Sequence, residues 1–302
     1  MPDHLPIGRF APSPTGPLHH GSLLAAVASY LDIKSRHGSW LVRIEDVDSS
    51  RTVSGAADTI RHCLQAHGLQ WDGDVVYQTD RESAYSAALQ QLADIDAIFY
   101  CDCRRADLRQ HVGAAYPGTC RFRRHATYRP ATPQLPANYA VRLEVGDRIV
   151  RFDDALLGPQ SFRMAELGDC VIRRRDSLFA YQLAVTIDDA WQGVSDIARG
   201  VDLLHSTPWQ ICLQQSLGLP RPTYMHLPLL VHSDGASKLS KQTAAPPVDP
   251  GAAVQNLCQI LVWLGQPLPD AQPQHCTALL AWAVEHWSRD AIPSGPISIT
   301  GG

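Results

Sequence analysis

The sequence predicts an α/β protein that is built around a mainly parallel sheet. Short apolar runs, which suit buried strands, alternate along the chain with longer runs whose apolar residues recur at helical spacing. Parallel strands need long crossover connections, and helices supply them, so the alternation favours a parallel over an antiparallel sheet. Residues 101–130 interrupt this pattern, because cysteine and arginine are frequent there and aliphatic residues are few.

The first half of the chain gives the clearest elements. We expect strands at residues 7–10, 40–45 and 98–100, and helices at residues 22–37, 56–68 and 85–95. Gly38 is expected to end the first of these helices as a C-terminal cap.

The later elements are predicted as follows. Residues 139–144 and 148–152 are expected to form a hairpin around Gly146 and Asp147. The α/β character returns over residues 171–201, two helices are expected at 251–264 and 277–288, and the tail 294–302 is expected to be loose.

Composition indicates a globular intracellular enzyme. Of the 302 residues, 45% are hydrophobic and 19% are charged, which excludes a disordered chain. The net charge of −4 makes the whole chain a poor general binder of nucleic acid, so any such contact must use a local patch. The first residues, MPDHLPIGRF, lack a signal-peptide pattern, and no apolar run is long enough to span a membrane. We therefore expect a cytoplasmic monomer whose eight cysteines are reduced or bind metal.

Two motifs that are far apart in the sequence indicate one nucleotide site. The run from Arg9 to Ser22, RFAPSPTGPLHHGS, is typical of a turn that leads from a strand into a helix. The unpaired N–H groups at a helix start suit phosphate, Gly21 lets the backbone come close, and His19 can donate to a phosphate oxygen. The second motif, KLSKQ at 238–242, offers lysine charges that can reach the same phosphates.

These motifs resemble the two signatures of the class I aminoacyl-tRNA synthetases, and RFAPSPTG resembles their glutamate-specific branch. Ser22 stands where the general signature has a second histidine, and Gln242 replaces the final serine of the other signature. The resemblance implies a Rossmann-type catalytic domain that uses Mg²⁺ with ATP. It implies His19, Lys238 and Lys241 as catalytic groups, and an ATP site made of His19, Gly21, Ser22, Lys238 and Lys241.

A glutamate pocket needs an arginine for the side-chain carboxylate and a carboxylate or hydroxyl for the ammonium group. Glu45 ends a predicted strand, which is where open α/β sheets bind ligands. The candidates, with the neighbours of Arg9 that the resemblance adds, are Arg9, Phe10, Ala11, Pro12, Ser13, Glu45, Tyr181 and Arg199.

Purely structural roles remain open for several of these residues. Glu45 could instead pair with Arg43 or Arg51. Arg199 could pair with Asp196 or Asp202. Asp188 and Asp189, which follow Tyr181 in the same run, could hold local structure rather than ligand.

Three cysteines in a loop-like segment, Cys101, Cys103 and Cys120, favour a tetrahedral zinc site. On the residues alone, the fourth ligand could be His111, His125 or Tyr116, and the alternative is three ordinary reduced cysteines. The segment also resembles the zinc site of a shortened paralogue family of the glutamyl-tRNA synthetases. That resemblance implies one structural Zn²⁺ with Tyr116 as the fourth ligand. The other cysteines, which lie mostly on apolar patterns and are expected in the core, are Cys63, Cys170, Cys212, Cys258 and Cys276.

The same segment is rich in arginine, which suits either phosphate contact or a solvated face. Its arginines are Arg104, Arg105, Arg109, Arg121, Arg123, Arg124 and Arg129, and a second patch comprises Arg173, Arg174 and Arg175.

The resemblance covers about residues 5–265 and implies how the chain is divided. The expected segments are a first catalytic half at 1–100, a zinc-bearing acceptor-side insertion at 101–165, a second catalytic half at 166–242 and a short helical C-terminal segment at 243–302. The last segment is too short for the anticodon-binding domain of a full glutamyl-tRNA synthetase.

The paralogue family activates L-glutamate with ATP and transfers it to the queuosine base in the anticodon of tRNA(Asp), so the resemblance implies these substrates. The alternatives are a truncated glutamyl-tRNA synthetase that charges the tRNA(Glu) 3′ end, a small-molecule nucleotidyltransferase and a zinc RNA-binding module without activity.

Overall fold

The structure is a computed structural model, and it describes residues 5–104, 108, 115–123, 139–232, 246–271 and 273–299. Its strands are β1 (Ile7–Phe10), β2 (Ser39–Ile44), β3 (Val76–Tyr77), β4 (Ile98–Cys101), β5 (Ala140–Leu143), β6 (Ile149–Asp154), β7 (Gly158–Arg163), β8 (Val171–Arg173), β9 (Asp196–Gly200), β10 (Thr223–Leu227), β11 (Leu230–His232) and β12 (Ile297–Ile299). Its α-helices are α1 (His20–Lys34), α2 (Ala56–Ala66), α3 (Glu82–Asp94), α4 (Thr119–Arg123), α5 (Met164–Leu167), α6 (Tyr181–Trp191), α7 (Thr207–Leu217), α8 (Ala253–Trp263) and α9 (Cys276–Glu285).

The central sheet has seven strands in the order β3-β2-β1-β9-β10-β6-β7. The first six run parallel, and β7 pairs antiparallel with β6 at one edge. The predicted parallel sheet is therefore confirmed. The strand order reverses direction between β1 and β9, and such a switch point is where open α/β sheets bind ligands.

Two apolar clusters cover the two faces of this sheet. Two consecutive residues of β10 show that the clusters lie on opposite faces. Tyr224 packs in one cluster and Met225 in the other, and successive side chains of a strand point to opposite faces. The cluster of Met225 includes α1, α2, α8 and α9, whereas that of Tyr224 includes α3, α6 and α7. Helices on both faces are what a buried parallel sheet requires.

The predicted hairpin at 139–152 is wrong. Strand β5 pairs with β4 and β8 in a separate antiparallel sheet, and β6 belongs to the central sheet. The N–H of Val145 donates to Asp169 Oδ1 (3.0 Å), which holds the end of β5 in the small sheet. The hairpin instead joins β6 to β7, where Asp154 Oδ1 accepts from the N–H groups of Leu156 and Leu157.

Helix α1 ends earlier than expected, and Gly38 is not its cap. Ser35 is the C-cap, and His37 takes the left-handed conformation with φ of 60°. Gly38 donates its N–H to Ile33 O, and a Cβ at this position would lie 2.2 Å from Pro6 O. The glycine is therefore needed because the chain passes close to Pro6.

The expectation of a loose tail is wrong for residues 297–299. Strand β12 runs parallel to β11, and Ile297 and Ile299 pack against the cluster around α1. Upstream, Asp32 of α1 accepts hydrogen bonds from Arg289 (2.8 Å) and from the indole of Trp287 (3.2 Å). These contacts join residues that are distant in the sequence, so local composition could not predict them.

Among the helices of the described part of the chain, none combines the length and the apolar character that crossing a bilayer requires.

The anchoring of the C-terminal segment is testable with Asp32→Asn. The variant loses charge-assisted bonds at a carboxylate that is only 5% exposed, so we expect the free energy of unfolding to fall by about 2 kcal/mol. Asp58→Asn is the matched control, because Asp58 pairs with Arg61 at 80% exposure and should change stability by less than about 0.5 kcal/mol. Chemical denaturation measures both variants, and equal effects would contradict the proposed anchoring.

Candidate active site

A cavity of about 300 Å³ opens at the carboxyl ends of β1 and β9, at the switch point of the sheet. It is lined by the turn after β1, the start of α1, the start of α6 and the segments that follow β9 and β10. The predicted residues that line it are Arg9, Phe10, Ala11, Pro12, Ser13, His19, Gly21, Ser22, Tyr181 and Arg199.

His19 is the N-cap of α1 and closes one wall of the cavity. Its Nδ1 accepts from the N–H of Ser22 (3.2 Å), and Ser22 Oγ lies 2.9 Å from Nε2. The imidazole is thereby fixed at the helix start, where the positive end of the helix dipole favours an anion. The serine that departs from the general signature thus orients the histidine.

The second motif lies outside the described residues, and so do Lys238 and Lys241. The chain is described again from residue 246, and there Pro247 forms a β-bridge with His19 while Val248 donates its N–H to Leu18 O (2.8 Å). On the other side of the gap, Leu230 of β11 lines the cavity. Both flanks of residues 233–245 therefore lie beside the cavity.

Arg9 of β1 lines the cavity, and a carboxylate of α6 binds its guanidinium. Asp189 of α6 accepts from Nε (2.9 Å) and from Nη2 (3.3 Å) of Arg9. The same carboxylate lies 2.8 Å from Nη2 of Arg43, which is fully buried on β2. Burial opposes ionisation of Asp189, but the charges of Arg9 and Arg43 outweigh it and lower the pKa of the carboxyl. Asp189 thus supports an arginine of the cavity.

Glu45 lines a second cavity, of about 120 Å³, which shares Ser13 and Tyr181 with the first. Its Oε1 lies 3.2 Å from Nη2 of Arg43, so Glu45 has one of the two structural partners considered above. The other, Arg51, pairs with Asp48 instead. Burial raises the pKa of Glu45, and the neighbouring arginines offset this only in part. An ammonium group bound beside Glu45 would favour its charged form.

Arg199 is only 5% exposed, and it reaches the cavity from β9. Its guanidinium donates to Thr207 Oγ1 (2.7 Å), to His226 Nε2 (3.3 Å) and to Tyr181 Oη (3.4 Å). Among the described residues no carboxylate forms an ion pair with Arg199, so the expected alternative of Asp196 or Asp202 is not found. With no such partner among the described residues, its positive charge can pair with a carboxylate that enters the cavity.

The sequence did not predict three residues that support Arg199 in the structure. Thr207, His226 and Asp154 lie on three different elements, and nothing local connects them to Arg199. A usable signal was present in TYMHL, where a polar histidine interrupts an apolar strand and therefore needs a buried partner.

A second site lies on the small sheet and α4. The sulfur atoms of Cys101, Cys103 and Cys120 all lie within 4.8 Å of one another, and those of Cys103 and Cys120 are 3.4 Å apart. Tetrahedral zinc with Zn–S bonds of about 2.3 Å separates its sulfur ligands by about 3.8 Å, so the three thiols are close to the required spacing.

The Tyr116 hydroxyl stands next to the thiols, whereas His111 and His125 lie outside the described residues. Its oxygen is 3.6 Å from Cys101 Sγ and 4.0 Å from Cys103 Sγ, and it accepts from the N–H of Cys120 (2.7 Å). The guanidinium of Arg142 stacks over the tyrosine ring at 3.9 Å. Burial opposes ionisation of Cys101, but Arg142 outweighs it and lowers the pKa of that thiol. The donor set of three sulfurs and one phenol oxygen fits zinc.

The remaining cysteines were expected in the core, and the arginines were expected either to contact phosphate or to be solvated. Cys63, Cys170 and Cys212 are buried as expected, whereas Cys258 and Cys276 are half-buried. Arg104 is exposed, Arg121 pairs with Asp169, and Arg174 pairs with Asp48 and Asp176. The arginines outside the described residues are Arg105, Arg109, Arg124 and Arg129, and the side chain of Arg123 is likewise not described.

Comparison with known proteins identifies the family. The family model described as "tRNA synthetases class I (E and Q), catalytic domain" matches residues 7–252. The glutamyl-Q tRNA(Asp) synthetase of Pseudomonas syringae pv. syringae (strain B728a) is 47% identical over 95% of this chain and 94% of the relative. The chain belongs to the glutamyl-Q tRNA(Asp) synthetase family. Another member, from Dechloromonas aromatica (strain RCB), is 48% identical over 95% of each chain.

The fold of this family member is also that of a solved glutamate tRNA ligase. The enzyme from Elizabethkingia meningosepticum, whose structure contains its amino acid, matches with a TM-score of 0.79 over 98% of this chain and 67% of its own. The two are 22% identical, so the likeness shows the fold. The family model confirms the resemblance to class I synthetases, and the shared fold confirms the α/β architecture.

Proposed function

We propose that this chain activates L-glutamate with ATP, without needing tRNA for that step, and then transfers the glutamyl group to the queuosine base of tRNA(Asp). One observation carries the activation step. A helix N-terminus with its fixed His19 and two buried arginines, Arg9 and Arg199, meet in a single cavity. The name of the two relatives, glutamyl-Q tRNA(Asp) synthetase, supplies the acceptor.

The amino acid is held by groups of opposite charge. Arg199 pairs with one carboxylate of glutamate, because its charge has no carboxylate partner among the described residues. Glu45 pairs with the ammonium group from the adjoining cavity. This pairing favours the charged form of Glu45, which burial disfavours. Arg9, Ser13 and Tyr181 line the space between, and the backbone of residues 10–12 completes it.

Activation forms an acyl–phosphate bond. The α-carboxylate of glutamate attacks the α-phosphorus of ATP, the bond to pyrophosphate breaks, and glutamyl-adenylate remains. His19 and the amides around Gly21 stabilise charge on the phosphates by position and electrostatics. Mg²⁺ bound with ATP would neutralise further phosphate charge.

Lys238 and Lys241 act on the same phosphates from the second motif. The support is the anchoring of both flanks, since Leu230 lines the cavity and Pro247 is bridged to His19. A chain of six residues spans at most about 21 Å, so the backbone of Lys241 is tethered within that distance of Pro247. A lysine side chain on such a tether can reach phosphates at the start of α1.

Transfer consumes the adenylate. A hydroxyl of the queuosine cyclopentenediol attacks the glutamyl carbonyl, an ester bond forms, and AMP leaves with the electrons of the broken anhydride bond. The insertion around the three cysteines positions the RNA, and its arginines contact phosphate without reading sequence. Zinc holds this insertion in shape, because a segment with few aliphatic residues has little other source of order.

The zinc site is tested with Tyr116→Phe, which removes one oxygen and keeps the ring. We expect one zinc per wild-type chain and a zinc affinity at least about 10-fold lower in the variant, because a ligand is lost. Metal analysis and competition with a chelator measure both quantities. Tyr139→Phe is the control and should bind zinc as the wild type does. Wild-type protein without zinc would defeat the site, and undiminished affinity in Tyr116→Phe would remove Tyr116 from it.

The acceptor is tested with radiolabelled glutamate, ATP and three purified RNAs. These are tRNA(Asp) with queuosine, tRNA(Asp) without it, and tRNA(Glu). We expect label on the first alone, and nuclease digestion should place it on the modified base. Label on tRNA(Glu), or equal label on both forms of tRNA(Asp), would overturn the proposal and favour a truncated glutamyl-tRNA synthetase.

A further inference from the structure

Behind the amino-acid cavity lies a chain of buried polar groups that runs from Asp154 through His226 to Arg199. Asp154 is 4% exposed at the end of β6, and His226 is 1% exposed in β10. His226 and Arg199 are register partners on adjacent parallel strands. Neither Asp154 nor His226 lines the cavity, so any effect they have on a substrate must pass through Arg199.

The hydrogen bonds fix the tautomer of His226. Its Nδ1 lies 2.6 Å from Asp154 Oδ2, and a carboxylate can only accept, so the proton is on Nδ1. Burial lowers the pKa of His226, which keeps the ring neutral. The other nitrogen, Nε2, therefore carries a lone pair, and it accepts from Nε of Arg199 at 3.3 Å. Thr207 Oγ1 lies 3.0 Å from the same nitrogen.

These contacts use all three nitrogens of the Arg199 guanidinium, and two of them lie on its Nε–Nη2 edge. Its Nε–H is directed at His226, one hydrogen of Nη2 at Thr207 and one hydrogen of Nη1 at Tyr181. A guanidinium has five N–H donors, so contacts among the described residues leave two of them, one on each terminal nitrogen. The Nη1–Nη2 edge of a guanidinium presents two parallel donors, which match the two oxygens of a carboxylate.

We propose that the Asp154–His226 pair is a positioning element that orients Arg199 toward a substrate carboxylate and thereby sets the preference for glutamate over glutamine. This proposal rests on the proposed amino-acid site. A carboxylate accepts from both remaining N–H groups, whereas the amide of glutamine offers one oxygen and turns its NH₂ toward a donor. The discrimination holds only while the guanidinium is kept from rotating, and the lone pair on His226 Nε2 prevents that rotation.

Asp154→Asn tests the pair because the change preserves shape and reverses polarity. Oδ1 of Asp154 accepts from the N–H groups of Leu156 and Leu157, both at 3.0 Å, so an asparagine keeps its oxygen there. Its NH₂ then faces Nδ1 of His226, which must become the acceptor. The proton moves to Nε2 and opposes the Nε–H of Arg199.

The readout is glutamate-dependent exchange of pyrophosphate into ATP, measured at varied glutamate and at varied ATP. We expect Asp154→Asn to raise KM for glutamate by about 10-fold or more, since a buried donor of Arg199 is left unsatisfied. KM for ATP should stay within about twofold of the wild type, because the phosphate-binding groups are untouched. The ratio of kcat/KM for glutamate to that for glutamine should fall. An unchanged KM for glutamate in the folded variant would overturn the proposal.

Two substitutions of His226 test the same idea independently of Asp154. His226→Gln can present an amide oxygen where Nε2 was, so it retains an acceptor for Arg199 and should raise KM for glutamate by less than about threefold. His226→Asn is one methylene shorter and can satisfy Asp154 but not Arg199, so it should behave like Asp154→Asn. Equal KM values for these two variants would contradict the proposed role, even if Asp154→Asn does not fold.

Tyr224→Phe is the matched control. It removes a buried hydrogen bond to Gln214 (3.0 Å) from the same strand and leaves the contacts of Arg199 with His226, Thr207 and Tyr181 in place. KM for glutamate should not change in this variant, and a rise equal to that of Asp154→Asn would indicate a general packing effect. Wild-type protein without glutamate-dependent exchange would refute the proposed function itself, a failure distinct from that of the pair.

Discussion

Asp189 is shared by two buried arginines from neighbouring strands, Arg9 of β1 and Arg43 of β2, and the form of the cavity depends on this sharing. A buried carboxylate with one partner would be costly to desolvate, and the two guanidiniums together keep it ionised. The pairing ties α6 to two strands, so the start of α6, where Tyr181 enters the cavity, is fixed relative to the turn after β1. Removing either arginine would leave Asp189 with a single partner in a buried site, and removing Asp189 would take away the carboxylate that pairs with Arg9.

The network of buried charges extends beyond Asp189. Arg43 also lies 3.2 Å from Glu45, and Asp188 accepts from Arg81 (3.1 Å) and from the hydroxyl of Tyr85 (2.6 Å). Arg199 stands outside this network and is held by neutral groups instead. An arginine whose charge is already matched by a carboxylate acts as a support. Among the described residues, the hydrogen-bond partners of Arg199 are two hydroxyls and an imidazole, so its charge can still bind an anion.

Local pattern was enough to predict part of this architecture. Strand β1, the helix that follows it and the placement of His19 at a helix start all depend on residues close together in the sequence. The structure contains all three, although α1 ends earlier than expected. The partners of Arg199 could not be predicted, because Thr207 and His226 are brought to it by strand pairing and helix packing. The same applies to β12, whose pairing with β11 joins residues far apart in the chain. The predicted hairpin was wrong for a related reason: a turn signal at Gly146 shows that the chain bends, but it does not show which sheet the next strand joins.

The central claim is that glutamate and ATP meet in the cavity between His19 and Arg199. A crystal structure with a stable glutamyl-adenylate analogue, in which a sulfamate replaces the phosphate, tests it most directly. We expect the side-chain carboxylate on Arg199, the ammonium group beside Glu45 and the sulfamate at the start of α1. An analogue bound elsewhere, or bound here with its side-chain carboxylate remote from Arg199, would contradict the account.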